Sequence, residues 1–178
     1  MQTIRAALKR LEPPPAARGK TVKARGEVRI HIDGAARGNP GPAGVGVVIL
    51  TPGGEVAERL HRGIGEATNN VAEYHALLLA LERAQSLGYT DIEICSDSEL
   101  LVRQIQGRYQ VKHPALKILY AEAKDRIGRF RRFGIRHVPR EQNAEADAQA
   151  NRGIDEAYRP GRRGTKSDPD APPAEGEG

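Results

Sequence analysis

The sequence is poor in cysteine and in aromatic residues. Of its 178 residues one is cysteine, none is tryptophan and 4% are aromatic. The single cysteine, Cys95, excludes a disulfide within the chain and argues against a cysteine-built zinc site, and this usage is typical of the reducing cytoplasm. With so few aromatic side chains, the hydrophobic core has to be built from valine, isoleucine, leucine and alanine.

Long apolar runs are absent as well. No segment approaches the ~20 consecutive apolar residues that a membrane-spanning helix needs. The first ten residues contain neither the apolar stretch nor the small-residue cleavage site of a secretory signal. We therefore expect a cytoplasmic protein with no membrane partner.

Positive charge is concentrated at one end of the chain. The net charge is +5, and residues 1–26 alone carry seven basic side chains and one acidic side chain, a net charge of +6. Residues 153–178 carry a net charge of −2, which leaves about +1 for the residues between the two ends. The basic excess favours an anionic polymer as a partner.

Composition divides the chain into three parts. Residues 1–26 contain the run Pro13–Pro15, which stops any helix, and we interpret them as a basic arm or linker. Residues 155–178 are rich in glycine, proline and acidic side chains without apolar periodicity, and we predict a disordered tail there. Residues 27–154 have room for one folded domain of ordinary size.

The first half of this domain has the apolar pattern of strands. Every second residue of 28–32 is apolar, as in a half-buried strand, and the apolar run 44–50 suits a strand buried on both faces. A turn at 51–54 leads into a third strand over 55–63. We therefore predict a three-stranded antiparallel meander.

The second half adds helices to further strands. Helical spacing recurs from Tyr74 to Ala84, from Leu101 to Ile105, from Leu116 to Phe130 and from Ala144 to about Asn151, whereas residues 92–94 and 133–135 match short strands. The order βββαβααβα predicts an α/β fold, in which helices cover the faces of a mixed five-stranded sheet.

Four acidic residues are the candidate functional groups: Asp33, Glu73, Asp97 and Asp147. Each has a simpler structural explanation when it is taken alone. Asp33 precedes a glycine and could form a turn, and Glu73 could complete a capping box begun by Asn70. Asp97 could cap a helix, and Asp147 lies near a helix start, where the dipole favours a negative charge.

The four residues together predict a metal site. All of them lie at predicted strand ends or at the starts of the helices that follow, and such groups converge on one crevice in an α/β sheet. Four unpaired carboxylates in one crevice would repel one another strongly. Mg²⁺ or Mn²⁺ relieves that repulsion, because both ions prefer oxygen ligands. Two such ions ~3.5–4 Å apart stabilise the attacking and leaving oxygens of a phosphoryl displacement.

The stretches that carry these carboxylates resemble type I ribonuclease H of the bacterial and archaeal kind. The motifs are Asp-Gly-x-x-x-x-Asn-Pro-Gly from Asp33, Thr-Asn-Asn-x-x-Glu ending at Glu73, Ser-Asp-Ser around Asp97, and His-Val-Pro-Arg-x-x-Asn-x-x-Ala-Asp ending at Asp147. The resemblance covers residues 28–154 and is to a branch without the family's basic handle, since only residues 108–113 separate the second and third predicted helices.

The resemblance implies a ribonuclease H fold, with residues 27–154 as the catalytic domain. It implies that Asp33, Glu73, Asp97 and Asp147 are the catalytic residues and also the metal ligands. They would hold two Mg²⁺ or Mn²⁺ ions per site.

Contacts with an RNA–DNA hybrid are implied as well. Asn39, Asn69 and Asn70 would reach the minor groove, where ribose 2′-hydroxyls distinguish a hybrid from DNA, and Thr68 would seat a DNA phosphate. Arg140 occupies the loop before the last helix, where some relatives carry a histidine that helps turnover, and we assign it a substrate-side role. The alternative for Asn69 and Asn70 is helix capping, which we expect of one of them.

Glu99 and His137 lie beside these groups and are assigned no metal or substrate contact. Glu99 follows Ser-Asp-Ser where many relatives carry glutamine, and its charge would be unfavourable beside a phosphate unless the side chain turns outward. His137 lies on the strand before the Arg140 loop, and we assign it mainly to structure.

The leading interpretation is a metal-dependent endoribonuclease that hydrolyses the RNA strand of RNA–DNA hybrids and leaves 5′-phosphate and 3′-hydroxyl ends. Two alternatives stay open: a nuclease of the same fold that cuts double-stranded RNA or branched DNA, and a non-catalytic module that binds hybrids through the basic arm. The asparagine pair disfavours DNA substrates, and a non-catalytic module has no need of four intact acidic positions. We expect a monomer, and the sequence identifies no protein partner.

Overall fold

The computed structural model describes residues 25–159. These residues form five strands and four α-helices, with a 3₁₀ turn over Arg140–Asn143. The strands are β1 Arg25–Ala36, β2 Gly41–Leu50, β3 Val56–Ala67, β4 Tyr89–Ser96 and β5 Arg132–His137. The helices are α1 Asn69–Ser86, α2 Glu99–Ile105, α3 Pro114–Ile127 and α4 Ala144–Ala157. The predicted order βββαβααβα is confirmed.

The five strands form one mixed sheet in the order β3-β2-β1-β4-β5. The first three strands make the predicted antiparallel meander, and within it Asp33 of β1 lies opposite Gly46 of β2. β4 runs parallel to β1, with Ile32 beside Ser96, and β5 runs parallel to β4. The carboxyl ends of β1, β4 and β5 therefore meet at one edge of the sheet, where groups that follow the strands converge.

The main core lies between one face of the sheet and helix α1. Its fully buried side chains are aliphatic with one large exception, Tyr74. The Tyr74 hydroxyl donates to Gln104 Oε1 over 2.7 Å, so its polar end is satisfied inside the core. The expectation of an aliphatic core is confirmed for the described residues.

Helix α4 covers the other face over the meander strands. Gly46 permits this packing, because a Cβ atom there would overlap the backbone of Ala146 and Ala150. Two ion pairs also hold α4: Arg37 of the β1–β2 loop pairs with Asp155 over 2.7 Å, and Arg59 of β3 pairs with Glu145 over 3.2 Å. Since Gly46 is the partner of Asp33 across the ladder, the close approach brings the start of α4 to the candidate site.

The limits of the folded domain differ slightly from the predicted ones. β1 begins at Arg25, so the last two residues of the predicted arm 1–26 belong to the sheet. α4 continues to Ala157, so the first three residues of the predicted tail 155–178 are helical. The remainder of both predicted segments lies outside the described residues. None of the helices described is long and apolar enough to cross a membrane.

Candidate active site

Asp33 and Glu73 are brought together by a close contact between β1 and α1. A Cβ atom on Gly34 would overlap the backbone of Ala72 and Glu73, so only glycine lets the helix approach this closely. The Gly34 N–H donates to Glu73 Oε2 over 3.1 Å. Asp33 and Glu73 are both buried, at 5% and 4% exposure, so the turn proposed for Asp33 and the capping box proposed for Glu73 are not what the structure shows.

Asp97 and Asp147 complete the cluster from two further elements. Asp97 follows the carboxyl end of β4, and Asp147 lies in the first turn of α4. Carboxylate oxygens of Asp33, Glu73 and Asp97 lie within 4.8 Å of one another. Asp147 lines the same cleft of about 220 Å³. The structure thus brings together all four acidic residues that the sequence singled out.

The hydroxyl residues next to these motifs cap the helices. Thr68 Oγ1 accepts a hydrogen bond from the Val71 N–H over 3.3 Å, and Ser98 Oγ accepts one from Leu101 over 3.3 Å. The expectation that Asn69 or Asn70 caps α1 is therefore wrong, and so is the capping alternative for Asp97. In both cases a hydroxyl one position away supplies the acceptor for the first-turn N–H.

The electrostatics of the cleft are strongly unfavourable for the ionised carboxylates. The pKa of Asp33 is raised to about 8, first by burial and then by repulsion from Asp97 and Asp147. Burial also raises the pKa of Glu73 well above its usual range, with further contributions from Asp33 and Asp97, and the Gly34 hydrogen bond opposes them only in part. Such clustering of raised pKa values is typical of functional sites.

The donor set fits hard divalent cations. The converging groups are carboxylate oxygens, which Mg²⁺ and Mn²⁺ prefer. Among the described residues the one cationic side chain that lines the cleft is that of Arg140. This side chain is 80% exposed, and its Nη2 lies 3.9 Å from Asp147 Oδ1. A single exposed guanidinium cannot neutralise four ionised carboxylates, and the raised pKa values of Asp33 and Glu73 reflect the repulsion that remains.

The predicted substrate residues form two groups, which we call the rims of this cleft, and Asn69 and Arg140 are the members that line it. On one rim the Asn39 Oδ1 accepts from the Asn69 N–H over 3.1 Å, which ties the β1–β2 loop to the start of α1. The side chains of Asn69 and Asn70 are exposed beside it, and Thr68 is half-buried as the cap. Arg140 forms the other rim, in the 3₁₀ turn before α4.

Glu99 and His137 both have defined contacts. Glu99 turns outward and pairs with Arg103 one helical turn away, over 2.7 Å. His137 Nε2 lies 3.2 Å from the backbone carbonyl oxygen of Asp97, which fixes the backbone at the end of β4 and suits a structural role.

One residue of the site was not singled out from the sequence. Asn143 is 1% exposed and its Nδ2 donates to the Ile32 carbonyl oxygen over 2.8 Å and to Asp97 Oδ1 over 3.4 Å. Its Oδ1 accepts from His31 Nδ1 over 3.1 Å. The available signal was its place inside the closing motif, between Arg140 and Asp147.

Comparison with known proteins agrees with this geometry. A protein-family profile described as "Reverse transcriptase-like" matches residues 31–153. Ribonuclease HI of Halobacterium salinarum is 43% identical over 132 residues, which are 74% of this chain and 66% of that protein. The crystal structure of RNase H1 from the same archaeon superposes with a TM-score of 0.72 at 42% identity, over 73% of this chain and 98% of that one.

A further structure, of LC11-RNase H1 in complex with an RNA/DNA hybrid, has a TM-score of 0.70 at 47% identity and covers 73% of this chain and 98% of that one. The fold, the acidic cleft and these matches define a ribonuclease H domain. The chain belongs to the ribonuclease H family. It spans about a third of the length of some relatives: the bifunctional protein Rv2228c of Mycobacterium tuberculosis is 46% identical over 132 residues, which are 74% of this chain and 36% of that protein.

Proposed function

We propose that this protein is a metal-dependent endoribonuclease that hydrolyses the RNA strand of RNA–DNA hybrids. The observation that carries the proposal is the buried acidic cluster of Asp33, Glu73 and Asp97, with Asp147 on the same cleft. Among the described residues Arg140 is the one cation that lines the cleft, so the repulsion between the carboxylates is relieved either by protonation of Asp33 and Glu73 or by bound cations. Membership of the ribonuclease H family favours divalent cations as the ligands of this cluster and hydrolysis of RNA as the chemistry that they support.

The four carboxylates would hold two divalent cations, Mg²⁺ or Mn²⁺. Bound there, the cations would supply Lewis-acid stabilisation of the attacking and leaving oxygens. The residues themselves hold the site in place, since Gly34 orients Glu73 and the close packing at Gly46 sets the position of α4 and of Asp147. In the overall reaction water adds to phosphorus, the bond to the 3′-oxygen breaks, and 5′-phosphate and 3′-hydroxyl ends result.

The two rims of the cleft account for the choice of substrate. Asn39, Asn69 and Asn70 present amide groups at the exposed joint between the β1–β2 loop and α1, where they would hydrogen-bond to ribose 2′-hydroxyls. Thr68 would meet a DNA phosphate beside them. Arg140, on the other rim, would pair with the phosphate backbone, since guanidinium groups bind phosphate well.

The two rival functions fit the structure less well. A branched-DNA nuclease gains nothing from a row of amides that can recognise 2′-hydroxyls. A non-catalytic module would bind its duplex over a surface of unlike charge, whereas this cleft presents four carboxyl groups to phosphate. Double-stranded RNA shares the 2′-hydroxyls and the A-like shape, so it is the rival substrate that needs a direct test.

The experiment is a cleavage assay with end-labelled substrates of one sequence. Hybrid, double-stranded RNA, double-stranded DNA and a branched DNA are each incubated with Mg²⁺, with Mn²⁺ and with EDTA. We expect cleavage of the RNA strand of the hybrid with metal and none with EDTA. Faster cutting of double-stranded RNA or of DNA would assign the enzyme to that substrate, and binding without cleavage in either metal would identify a hybrid-binding module.

A further inference from the structure

Asn143 has an environment that helix capping does not explain. It stands directly before α4, where an asparagine ordinarily uses its side-chain oxygen to cap the first turn, yet its side chain makes no such bond. Its oxygen instead faces His31 Nδ1, and its amide nitrogen faces the Ile32 carbonyl and Asp97 Oδ1. The whole side chain therefore links the sheet to Asp97.

The Ile32 carbonyl and the Asp97 carboxylate fix the direction of the Asn143 amide, because both only accept hydrogen bonds and therefore face Nδ2. An amide oxygen only accepts hydrogen bonds, so His31 carries its hydrogen on Nδ1 and donates to Asn143. His31 and Ile32 lie on β1 directly before Asp33, so the orientation of the amide is set by the strand that carries this carboxylate.

The Asn143 amide hydrogen-bonds to the carboxylate of Asp97. Its carboxylate faces the like charges of Asp33 and Glu73, and such repulsion would turn it out toward solvent. Besides the carboxyl group of Asp33, Asn143 is the side-chain donor that faces its carboxylate among the described residues, over 3.4 Å, and His137 contacts only its backbone. Asn143 also lies one helical turn before Asp147, so a single side chain relates the positions of two of the four acidic groups.

We propose that His31 and Asn143 are positioning residues for the metal site, with His31 holding the Asn143 amide in the orientation that keeps Asp97 directed into the cleft. This inference rests on the proposed function for its activity readout, but metal binding tests it separately. Residues that orient metal ligands from behind usually change metal affinity or activity by ~10–100-fold when they are removed.

The test compares four variants of the full chain. His31→Val and Asn143→Ala remove the link, whereas His31→Asn keeps an N–H donor at about the place of Nδ1. His61→Val is the matched control, because His61 is also a half-buried histidine that joins the sheet to α4, through Gln149 and Glu156, but it makes no contact with the acidic cluster. The measurements are Mn²⁺ affinity by calorimetry without substrate, kcat and KM on hybrid, and thermal unfolding in EDTA.

We expect His31→Val and Asn143→Ala to weaken Mn²⁺ binding and to lower kcat by about 10-fold, with KM within about twofold because the substrate rims are untouched. His31→Asn should recover most of both losses, and His61→Val should lower thermal stability alone. Unchanged Mn²⁺ affinity in Asn143→Ala, or equal losses in His31→Asn and His31→Val, would overturn the inference. If wild-type protein binds Mn²⁺ but cuts no hybrid, the proposed function fails while the calorimetry still decides this point.

Discussion

The backbone N–H of Gly34 donates to the side chain of Glu73 over 3.1 Å, at the place where β1 and α1 approach too closely for any side chain but hydrogen. The bond joins Gly34, the residue after Asp33, to the carboxylate of Glu73, which lies 39 residues further along the chain. It therefore sets the distance between Asp33 and Glu73 through backbone packing, before any cation binds.

Replacing Gly34 by alanine should separate these two groups. The added methyl would overlap the backbone of Ala72 and Glu73, so α1 has to shift. We expect a loss of about 1–3 kcal/mol in unfolding free energy, as for other overpacked sites, and a larger relative loss of metal-dependent cleavage. Urea denaturation and the hybrid assay measure the two. Gly134→Ala on β5 is the control, since nothing lies near its added methyl; similar effects of both substitutions would contradict the role given to the contact.

The metal-free protein should become less stable as the pH rises. The pKa of Asp33 is about 8 in the folded protein against an ordinary 3.8. Between about pH 4 and pH 8 the folded state thus keeps a proton that the unfolded chain has released, and the unfolding free energy falls with rising pH. Asp33→Asn removes this contribution, so in EDTA its stability advantage over wild type should grow across that range.

The size of this advantage is limited by relaxation of the site. One pH unit corresponds to at most ~1.4 kcal/mol for a single proton, and water entry at high pH reduces the effect, so we expect about 1–3 kcal/mol at pH 8. Thermal unfolding at several pH values measures it. Asp125→Asn, on the exposed face of α3, is the control. A pH-independent difference between Asp33→Asn and wild type would contradict the electrostatic account.

Ribose hydroxyls near the scissile phosphate should be required. Hybrids in which two or three ribonucleotides around that phosphate are replaced by 2′-deoxynucleotides should be cut slowly, because Asn39, Asn69 and Asn70 lose the groups they would bind. Single-turnover rates on matched substrates make the comparison. Equal rates on substituted and unsubstituted strands would show that Asn39, Asn69 and Asn70 do not determine substrate specificity.

The fold was predictable because its signals are local. Alternation at residues 28–32 and helical spacing from Tyr74 to Ala84 each report which face of an element is buried, and the order of elements followed from them. The ends of β1 and α4 were misplaced by a few residues, since Arg25 and Ala157 are polar or small and are held by neighbouring elements rather than by their own pattern.

The site was predictable to a different extent. The four carboxylates stand in recognisable motifs, whereas Thr68 and Ser98 were not recognised as helix caps because adjacent polar residues offered equally good local candidates. The link from His31 to Asn143 spans 112 positions of the sequence and depends on how α4 packs on the sheet. No local pattern contains that information.

The basic segment before the sheet should contribute to duplex binding. Residues 1–24, which precede β1 and lie outside the described residues, carry six basic side chains and one acidic side chain. Deleting them leaves the Arg25–Tyr89 pairing of the sheet intact. If about three of the basic groups engage phosphates, the slope of log affinity against log salt should flatten by ~2–3. KM should rise while kcat stays nearly constant, because the cleft is unchanged.

Two comparisons make this prediction specific. A full-length variant with the six basic side chains replaced by glutamine separates the effect of charge from that of chain length. Binding measured from low to moderate salt gives the slope for each protein. Equal KM and equal salt slope for the truncated and full-length proteins would show that the segment makes no contact with the duplex.

The central claim is that the acidic cluster performs metal-dependent cleavage, and Asp97→Asn tests it most directly. This change keeps the size of the side chain and removes one charge from the cluster, so the fold should be retained while the site loses a ligand. Hybrid cleavage is measured for wild type and variant in saturating Mg²⁺, alongside unfolding in EDTA. We predict intact folding with cleavage reduced far below a tenth of the wild-type rate. Retention of more than about a tenth of that rate, a barrier change under ~1.4 kcal/mol, would contradict the account.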